Sequence, residues 1–98
     1  MTGAEIDRII HAWLALHPAV HGFHHHDSRH TRGGWPDWVF LGEHGILFRE
    51  IKGSNDKLSR DQREIGRLLS LADCDWEVWG PRDVASGGRA FKQLEEIT

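Results

Sequence analysis

Two acidic residues and a lysine near the middle of the chain have the types and spacing that suit phosphodiester hydrolysis. Asp37 follows Pro36, twelve residues separate Asp37 from Glu50, and Lys52 lies two positions after Glu50. Because side chains alternate along a strand, Glu50 and Lys52 share one face, while Ile51 points the other way into apolar packing. Asp37 begins the neighbouring strand, and a hairpin brings its carboxylate beside Glu50.

This arrangement has a definite chemistry. Two adjacent carboxylates repel each other unless they share a cation. Mg²⁺ and Mn²⁺ take oxygen ligands, and Mg²⁺ keeps several waters; such a cation acidifies bound water and neutralises a phosphate. The Lys52 amine would stabilise the charge that builds up at phosphorus. Pro-Asp alone is a common turn dipeptide, and Glu-x-Lys alone can be a solvated strand edge, but together they predict a metal-dependent nuclease.

The elements that must position these residues follow from periodicity and turn signals. The sequence predicts helices over residues 2–16, from Ser59 onward and over 89–97, and strands over 20–26, 37–41, 46–52 and 75–79. A glycine turn joins the second and third strands, and the helix from Ser59 crosses over to the fourth. The predicted fold class is α/β, a mixed β-sheet flanked by helices in the order α-β-β-β-α-β-α.

Several residues are predicted to be buried. The helix after Ser59 is expected to bury Ile65, Leu68, Leu69 and Ala72, and the last helix Phe91, Leu94 and Ile97. Four of the five tryptophans lie in apolar surroundings and are expected to serve the core, namely Trp13, Trp38, Trp76 and Trp79. Trp35 lies in a glycine turn, and the pattern does not explain it.

Length and charge narrow the function classes. The 98 residues suggest one domain over residues 1–98, with a modest core that dimerisation would extend. The net charge of −3 argues mildly against a passive nucleic-acid binder, but less against a nuclease, whose bound cations restore positive charge. Cys74 is the only cysteine, which excludes an intrachain disulfide. With no membrane span or signal peptide expected, we predict a cytoplasmic, intracellular protein.

The run of residues 33–62 resembles the virus-type replication-repair nuclease domain, VRR-NUC, of the PD-(D/E)XK superfamily. The features that match are Gly34-x-Pro36-Asp37, Glu50-x-Lys52-Gly53, and Leu58-Ser59 followed by Asp61-Gln62. Downstream, Val78-Trp79-x-Pro81 is similar to the family's last core strand. The resemblance covers roughly residues 20–85, which is most of the chain.

The resemblance implies a restriction-endonuclease-like fold, DNA cleavage with Mg²⁺ or Mn²⁺, and often a homodimer. Carried over by position, Asp37 and Glu50 would be metal ligands, and the main-chain carbonyl of Ile51 would be a further one. Lys52 would be the catalytic lysine. These roles agree with the chemistry that the residue types indicate.

Two more residues match the family's site on the helices. Gln62 matches the glutamine on the helix after the core, and Glu5 matches an acidic residue on the first helix, implied to be a metal ligand. Both also fit capping boxes, Glu5 with Thr2 and Gln62 with Ser59. For Gln62 both roles can hold at once.

Basic residues on both sides of the core are candidates for DNA contact: Arg29, His30, Arg32, Lys57, Arg60 and Arg63. Arg60, Arg63 and Arg67 form one helix stripe, which could follow a DNA backbone or pair with Asp61 and Glu64 as an exposed face. Histidines crowd between positions 21 and 30, where they could contact phosphate or bind a transition metal, but their spacing matches no closed zinc motif.

The sequence therefore predicts a metal-dependent DNA endonuclease. A chain of this size has little surface for reading base sequence, so we expect structure-selective cutting, with branched or junction DNA suggested by the resemblance. A role in DNA repair, in a bacterium or a phage, is expected on the same ground. Two alternatives stay open: a catalytically inactive DNA-binding module on a nuclease fold, and a histidine-rich metal-binding protein.

Overall fold

The computed structural model describes residues 1–25 and 33–98, so the predicted DNA contacts Arg29, His30 and Arg32 lie outside the described residues. The elements, in chain order, are α1 (Gly3–Leu16), β1 (His21–His24), β2 (Trp38–Gly42), β3 (Gly45–Ile51), α2 (Arg60–Leu71), β4 (Asp75–Trp79), α3 (Pro81–Val84) and α4 (Arg89–Glu96). The α/β class and the order of the predicted elements are confirmed. Within the described residues, no helix is long and apolar enough to cross a bilayer.

The short helix α3 is an element that the sequence analysis missed. Gly80-Pro81 was interpreted only as the end of a strand, but proline also suits the first position of a helix. The Gly80 N–H donates to the carboxylate of Asp83 at 2.7 Å, which closes this single turn. The same dipeptide therefore ends β4 and begins α3.

The four strands form one sheet in the order β1-β2-β3-β4. β1, β2 and β3 are antiparallel neighbours, and β4 joins β3 in parallel after the α2 crossover. The hairpin turn is Glu43-His44, because Gly42 pairs with Gly45. A Cβ atom on Gly42 would clash with the Ile97 carbonyl, so glycine lets the turn lie against the end of the chain.

One face of the sheet carries the core and packs against α1, α3 and α4. Its buried strand residues are Trp38, Phe40, Leu47, Ile51 and Trp79, and the helices add Ile6, Ile10, Val84, Ala90 and Leu94. The rings of Trp38 and Phe40 stack at 5.1 Å. The predictions for Trp38, Trp79, Leu94 and Ile97 are confirmed, and Trp13 and Phe91 pack against this core half-buried.

The opposite face is only partly covered, by α2. The ring of Trp76, half-buried on β4, lies so close to Gly66 that a Cβ atom there would clash with it. This close approach makes Gly66 the buried residue of α2. Leu68, two positions on, points nearly the opposite way and is 47% exposed, so its predicted burial is wrong. Ala72 is also exposed, because it caps the helix end.

Candidate active site

Asp37 lies just before β2, where the ladder with β3 brings it to Glu50. Trp38 pairs with Arg49, so the next pair along the same register joins Asp37 and Glu50. The Ile51 N–H donates to Asp37 Oδ2 at 2.8 Å, which fixes the Asp37 carboxylate against β3. Glu50 itself is 1% exposed. The hairpin therefore gathers two carboxyl groups at one point.

The protonation of Glu50 reflects this crowding. Burial, followed by the hydrogen bond and the negative charge of Asp37, raises the pKa of Glu50 to about 9, and only Lys52 acts in the opposite direction. In the metal-free protein, Glu50 therefore keeps its proton at neutral pH. Because a metal ligand must be deprotonated, a cation bound here would displace that proton.

Lys52 lies on the same face as Glu50. Its Nζ is 3.9 Å from Glu50 Oε1, and its side chain is 19% exposed. Ile51, between them, points into the core at 6% exposure. The Lys52 N–H donates to the Trp79 carbonyl at 3.0 Å, which holds the end of β3 against β4. The alternation predicted for this strand is confirmed.

Gln62 links α2 to the carboxylates and caps the helix at the same time. Its Oε1 accepts the Ser59 N–H at 2.8 Å, and the Ser59 hydroxyl accepts the Gln62 N–H at 3.1 Å. Its Nε2 donates to Glu50 Oε1 at 3.0 Å. Because the cap occupies the amide oxygen, the amide nitrogen is directed toward Glu50. The capping box thereby orients a side chain at the site.

The pair fits a hard divalent cation. Among the described residues, no donor reaches the buried Glu50 Oε2, and the hydrogen bond between the Glu50 and Asp37 carboxyls requires a proton on Glu50. Once that proton is lost, the buried oxygen needs another partner, such as a bound cation. Mg²⁺ commonly binds through one or two carboxylates and retains its waters, which matches Asp37, Glu50 and a nearby main-chain carbonyl such as that of Ile51.

Glu5 lies in a different setting, at the start of α1. Its carboxylate accepts the Thr2 N–H at 3.1 Å and the Thr2 hydroxyl at 3.2 Å, and these hydrogen bonds lower its pKa. Across residues 1–25 and 33–98, no three His, Cys, Asp or Glu side chains are grouped to hold a metal ion, so Glu5 does not join Asp37 and Glu50 here. Its role as a ligand stays a prediction.

The described histidines form no such group either. His24 lies parallel to the ring of Trp38 at 4.4 Å, and its Nε2 is 3.4 Å from Asp7 Oδ2. His26 and His30 lie outside the described residues. The histidine-rich alternative thus has no three-residue metal group in the part of the chain that the structure describes.

The basic residues of α2 border the site. An open groove on this helix is lined by Arg60, Asp61, Arg63, Glu64 and Arg67. Arg67 pairs with Glu64 at 2.7 Å, as the exposed-face alternative predicts. Arg63 donates to the Leu58 carbonyl at 2.9 Å, just before the helix, and Lys57, Arg60 and Arg63 are exposed.

Comparison with known proteins addresses the fold. The sequence matches no protein-family model and no curated protein. Among solved structures, it is similar to one described as a VRR_NUC domain protein, with a TM-score of 0.72 and 18% identity, over 100% of this chain and 91% of that chain. The chain has a VRR-NUC fold. This likeness concerns the fold alone, and the roles of the residues depend on the geometry above.

Within this VRR-NUC fold, Gly34 is a residue whose role the sequence analysis did not identify. Its φ of 100° lies in the region that favours glycine, and a Cβ atom would lie 2.5 Å from the Asp61 carbonyl oxygen. Pro36 is fully buried. The segment before Asp37 is therefore packed against the first turn of α2, next to Gln62. The glycine pair before Trp35 was the available signal, but its partner on α2 is remote in sequence.

Proposed function

We propose that this VRR-NUC fold is a DNA endonuclease that hydrolyses phosphodiester bonds with Mg²⁺ or Mn²⁺. The observation that carries the proposal is the buried Glu50 carboxyl. It lies beside Asp37, one of its oxygens is reached by no donor among the described residues, and Lys52 Nζ is 3.9 Å away. A catalytically inactive binding module has no need for a buried acid beside a second acid, because burial and the neighbouring charge both disfavour the ionised form and cost free energy.

Each residue has a distinct part in the proposal. Asp37, Glu50 and the Ile51 carbonyl hold the cation, which supplies an acidified water and charge neutralisation at the phosphate when bound. The Ile51 N–H holds Asp37 in position. Gln62 orients Glu50 through its amide nitrogen. Lys52 stabilises the negative charge that grows at phosphorus and orients the attacking water.

The DNA substrate is proposed to lie across the start of α2. Lys57, Arg60 and Arg63 contact the phosphate backbone there, together with Arg29, His30 and Arg32 from the segment that leads to Asp37. We also propose structure-selective cutting of branched or junction DNA by a homodimer, in an intracellular repair role in a bacterium or a phage. Exposed apolar side chains on the open sheet face, such as Leu41 and Ile46, support an assembly that covers them.

The test is cleavage of a panel of labelled DNA structures: duplex, nicked, single-stranded, flapped and four-way. We expect cleavage with Mg²⁺ or Mn²⁺ and none with EDTA. Asp37→Asn retains an acceptor for the Ile51 N–H but loses the charge, so we expect a fall in kcat/KM of about 10³-fold or more. Glu43→Gln removes the same charge at the hairpin turn and should leave cleavage unchanged.

Two outcomes would contradict the proposal. If all five DNA structures stay intact with either metal, the protein is no endonuclease, and binding without cleavage would identify the inactive module. If Asp37→Asn cuts as well as Glu43→Gln does, then cleavage occurs at another site. Folding of both variants is checked by circular dichroism and thermal unfolding.

A further inference from the structure

Trp35 is a large apolar side chain that the core does not use. It is 43% exposed, whereas Trp38 and Trp79 are buried completely. It lies in the loop that leads to the active site, two residues before Asp37, and it is directly followed by the buried Pro36. In the described part of the chain, the exposed part of this ring lies next to Asp37 and is open to a ligand.

The position of Trp35 is fixed from two sides. Its ring meets Phe48 edge to face, with centroids 5.9 Å apart and planes at 88°. Phe48 lies two residues before Glu50 on β3, so alternation puts both on the same face of the sheet. On the other side, Gly34 is packed against the Asp61 carbonyl of α2. The exposed ring therefore has a defined place next to the carboxylates.

An aromatic ring beside a phosphate-cleaving centre can stack on a nucleobase. Base–aromatic stacking tolerates any sequence, because every base presents a π-face. In an intact duplex the bases are stacked on each other, and a ring can enter only by unstacking a base step. Taking a nucleotide out of the stack costs least where it is already unpaired, at a bulge or a flap.

We propose that Trp35 stacks on an unpaired base next to the scissile phosphate, which makes DNA with an unstacked nucleotide the preferred substrate. This inference deepens the proposed nuclease function and rests on it. The negative charge and small size of the domain fit such a mode, because stacking adds affinity without further basic surface. Trp35 is then a specificity-determining residue, separate from the residues that hold the cation.

The test is a double-mutant cycle that combines a change of the Trp35 side chain with removal of the base. Cleavage is first mapped on a duplex with one unpaired nucleotide, and a second substrate carries an abasic site on either side of the cut. The wild type is compared with Trp35→Leu, which keeps apolar bulk against Phe48, and with Trp35→Phe, which keeps an aromatic ring. Leu16→Ala, an exposed apolar residue at the end of α1 on the other side of the sheet, is the matched control.

We expect base removal to lower kcat/KM of the wild type and of Leu16→Ala at least about fivefold. Trp35→Leu should lower kcat/KM by the same factor on the substrate that carries the base. On the abasic substrate it should cause no further loss, because the stacking contact can be removed only once. Trp35→Phe should recover most of the loss. If Trp35→Leu falls equally on both substrates, or not at all, the stacking role is wrong.

A DNA-binding measurement separates the stacking proposal from the proposed nuclease activity. DNA affinity is measured by fluorescence anisotropy with Ca²⁺ for the same proteins, on the unpaired substrate and on versions with an abasic site at or next to the bulge. If no cleavage occurs but Trp35 and the base remain coupled in binding, the nuclease proposal fails and the stacking proposal stands. If binding is uncoupled, or if no DNA binds at all, the stacking proposal is overturned.

Discussion

Arg49 and Glu50 are neighbours on β3, and both are buried, but they lie on opposite faces of the sheet in opposite circumstances. Arg49 is 0% exposed and Glu50 is 1% exposed. The guanidinium donates to the Asp75 carbonyl at 2.6 Å, to the Asp75 carboxylate at 3.0 Å and to Gln93 Oε1 at 3.1 Å, and it lies over the Trp79 ring. Folding has supplied this charge with partners.

Glu50 has been supplied with much less. Its Oε1 accepts one hydrogen bond from Gln62. Among the described residues no donor reaches its Oε2, and the hydrogen bond with the Asp37 carboxyl requires a proton on Glu50. Arg49 also has one donor without a hydrogen bond there, its Nε, but a guanidinium has five N–H donors and keeps its charge when buried. A carboxyl with a neighbouring acid has to take up a proton instead. The two neighbours thus differ, since Arg49 is a charge paired within the fold and Glu50 is a neutral acid that, under the proposed function, gives up its proton to a cation.

The largest effect is expected when Glu50 loses its ability to carry a negative charge. Glu50→Gln preserves the shape and the neutral charge that Glu50 has in the metal-free protein, so the fold should be unchanged or more stable. It cannot provide the charged ligand, so we expect kcat/KM with Mg²⁺ to fall about 10³-fold or more. Cleavage assays and calorimetric titration with Mn²⁺ measure both effects.

Glu77→Gln is the control for Glu50→Gln, since it removes a carboxylate from the Arg49 side of the sheet, where Glu77 Oε1 lies 3.8 Å from the guanidinium. It should leave Mn²⁺ affinity within about twofold of the wild type, because no Glu77 contact reaches the site. Equal loss of Mn²⁺ affinity in the two variants would contradict the assignment of Glu50 as the ligand.

The second prediction concerns Arg49, whose substitution should lower the stability of the fold but not the cleavage by the folded fraction. Arg49→Met fills a similar volume but removes the guanidinium donor from the Asp75 carbonyl and from the Asp75 and Glu77 carboxylates, and leaves Gln93 Oε1 with the Trp79 N–H. We therefore expect the free energy of unfolding to fall by about 3 kcal/mol. Arg67→Met removes only an exposed pair with Glu64 and should cost less than about 1 kcal/mol.

Urea unfolding followed by tryptophan fluorescence measures the difference between Arg49→Met and Arg67→Met. The folded fraction of Arg49→Met should still bind Mn²⁺ and cut DNA, because Arg49 lies on the far face from the carboxylates. Stability equal to that of Arg67→Met would show that the Arg49 hydrogen bonds add little to the fold.

The contrast between the two residues also explains what could be predicted from the sequence. Glu50 and Lys52 follow from strand alternation, and Asp37 joins them through a hairpin of short range, so the site could be predicted from one continuous stretch. The partners of Arg49 come from β4 and α4, far along the chain. Local periodicity holds no information on which remote polar group will meet a given strand residue.

The same limit accounts for the errors in the fold. Apolar spacing predicted Leu68 on the buried side of α2, but the contact that sets the helix against the sheet is the close approach of Gly66 to Trp76. Helix α3 was missed because Gly80-Pro81 is compatible both with the end of a strand and with the start of a helix. Capping boxes were predicted correctly, at Thr2 and at Ser59, since both partners lie within one turn.

The smallest expected effect is the pH dependence of stability that Glu50 causes and Arg49 does not. The pKa of Glu50 is about 9 in the fold and near 4.5 when unfolded, so between these values the unfolded chain binds fewer protons. Stability of the metal-free protein therefore falls as pH rises, by at most about 1.4 kcal/mol per pH unit from this group. Because water that penetrates to Glu50 lowers the cost of its charge, we expect the free energy of unfolding to fall by about 2 kcal/mol between roughly pH 5 and 8.

Denaturant unfolding in EDTA at several pH values tests this slope, with Glu50→Gln as the reference that lacks the titrating group. Mn²⁺ should stabilise the wild type more at higher pH, because less proton has to be displaced, and should leave Glu50→Gln little changed. A slope shared by both proteins would assign the pH dependence to other residues. Glu50 would then be ionised and satisfied within the fold, as Arg49 is, and the difference between the two residues would disappear.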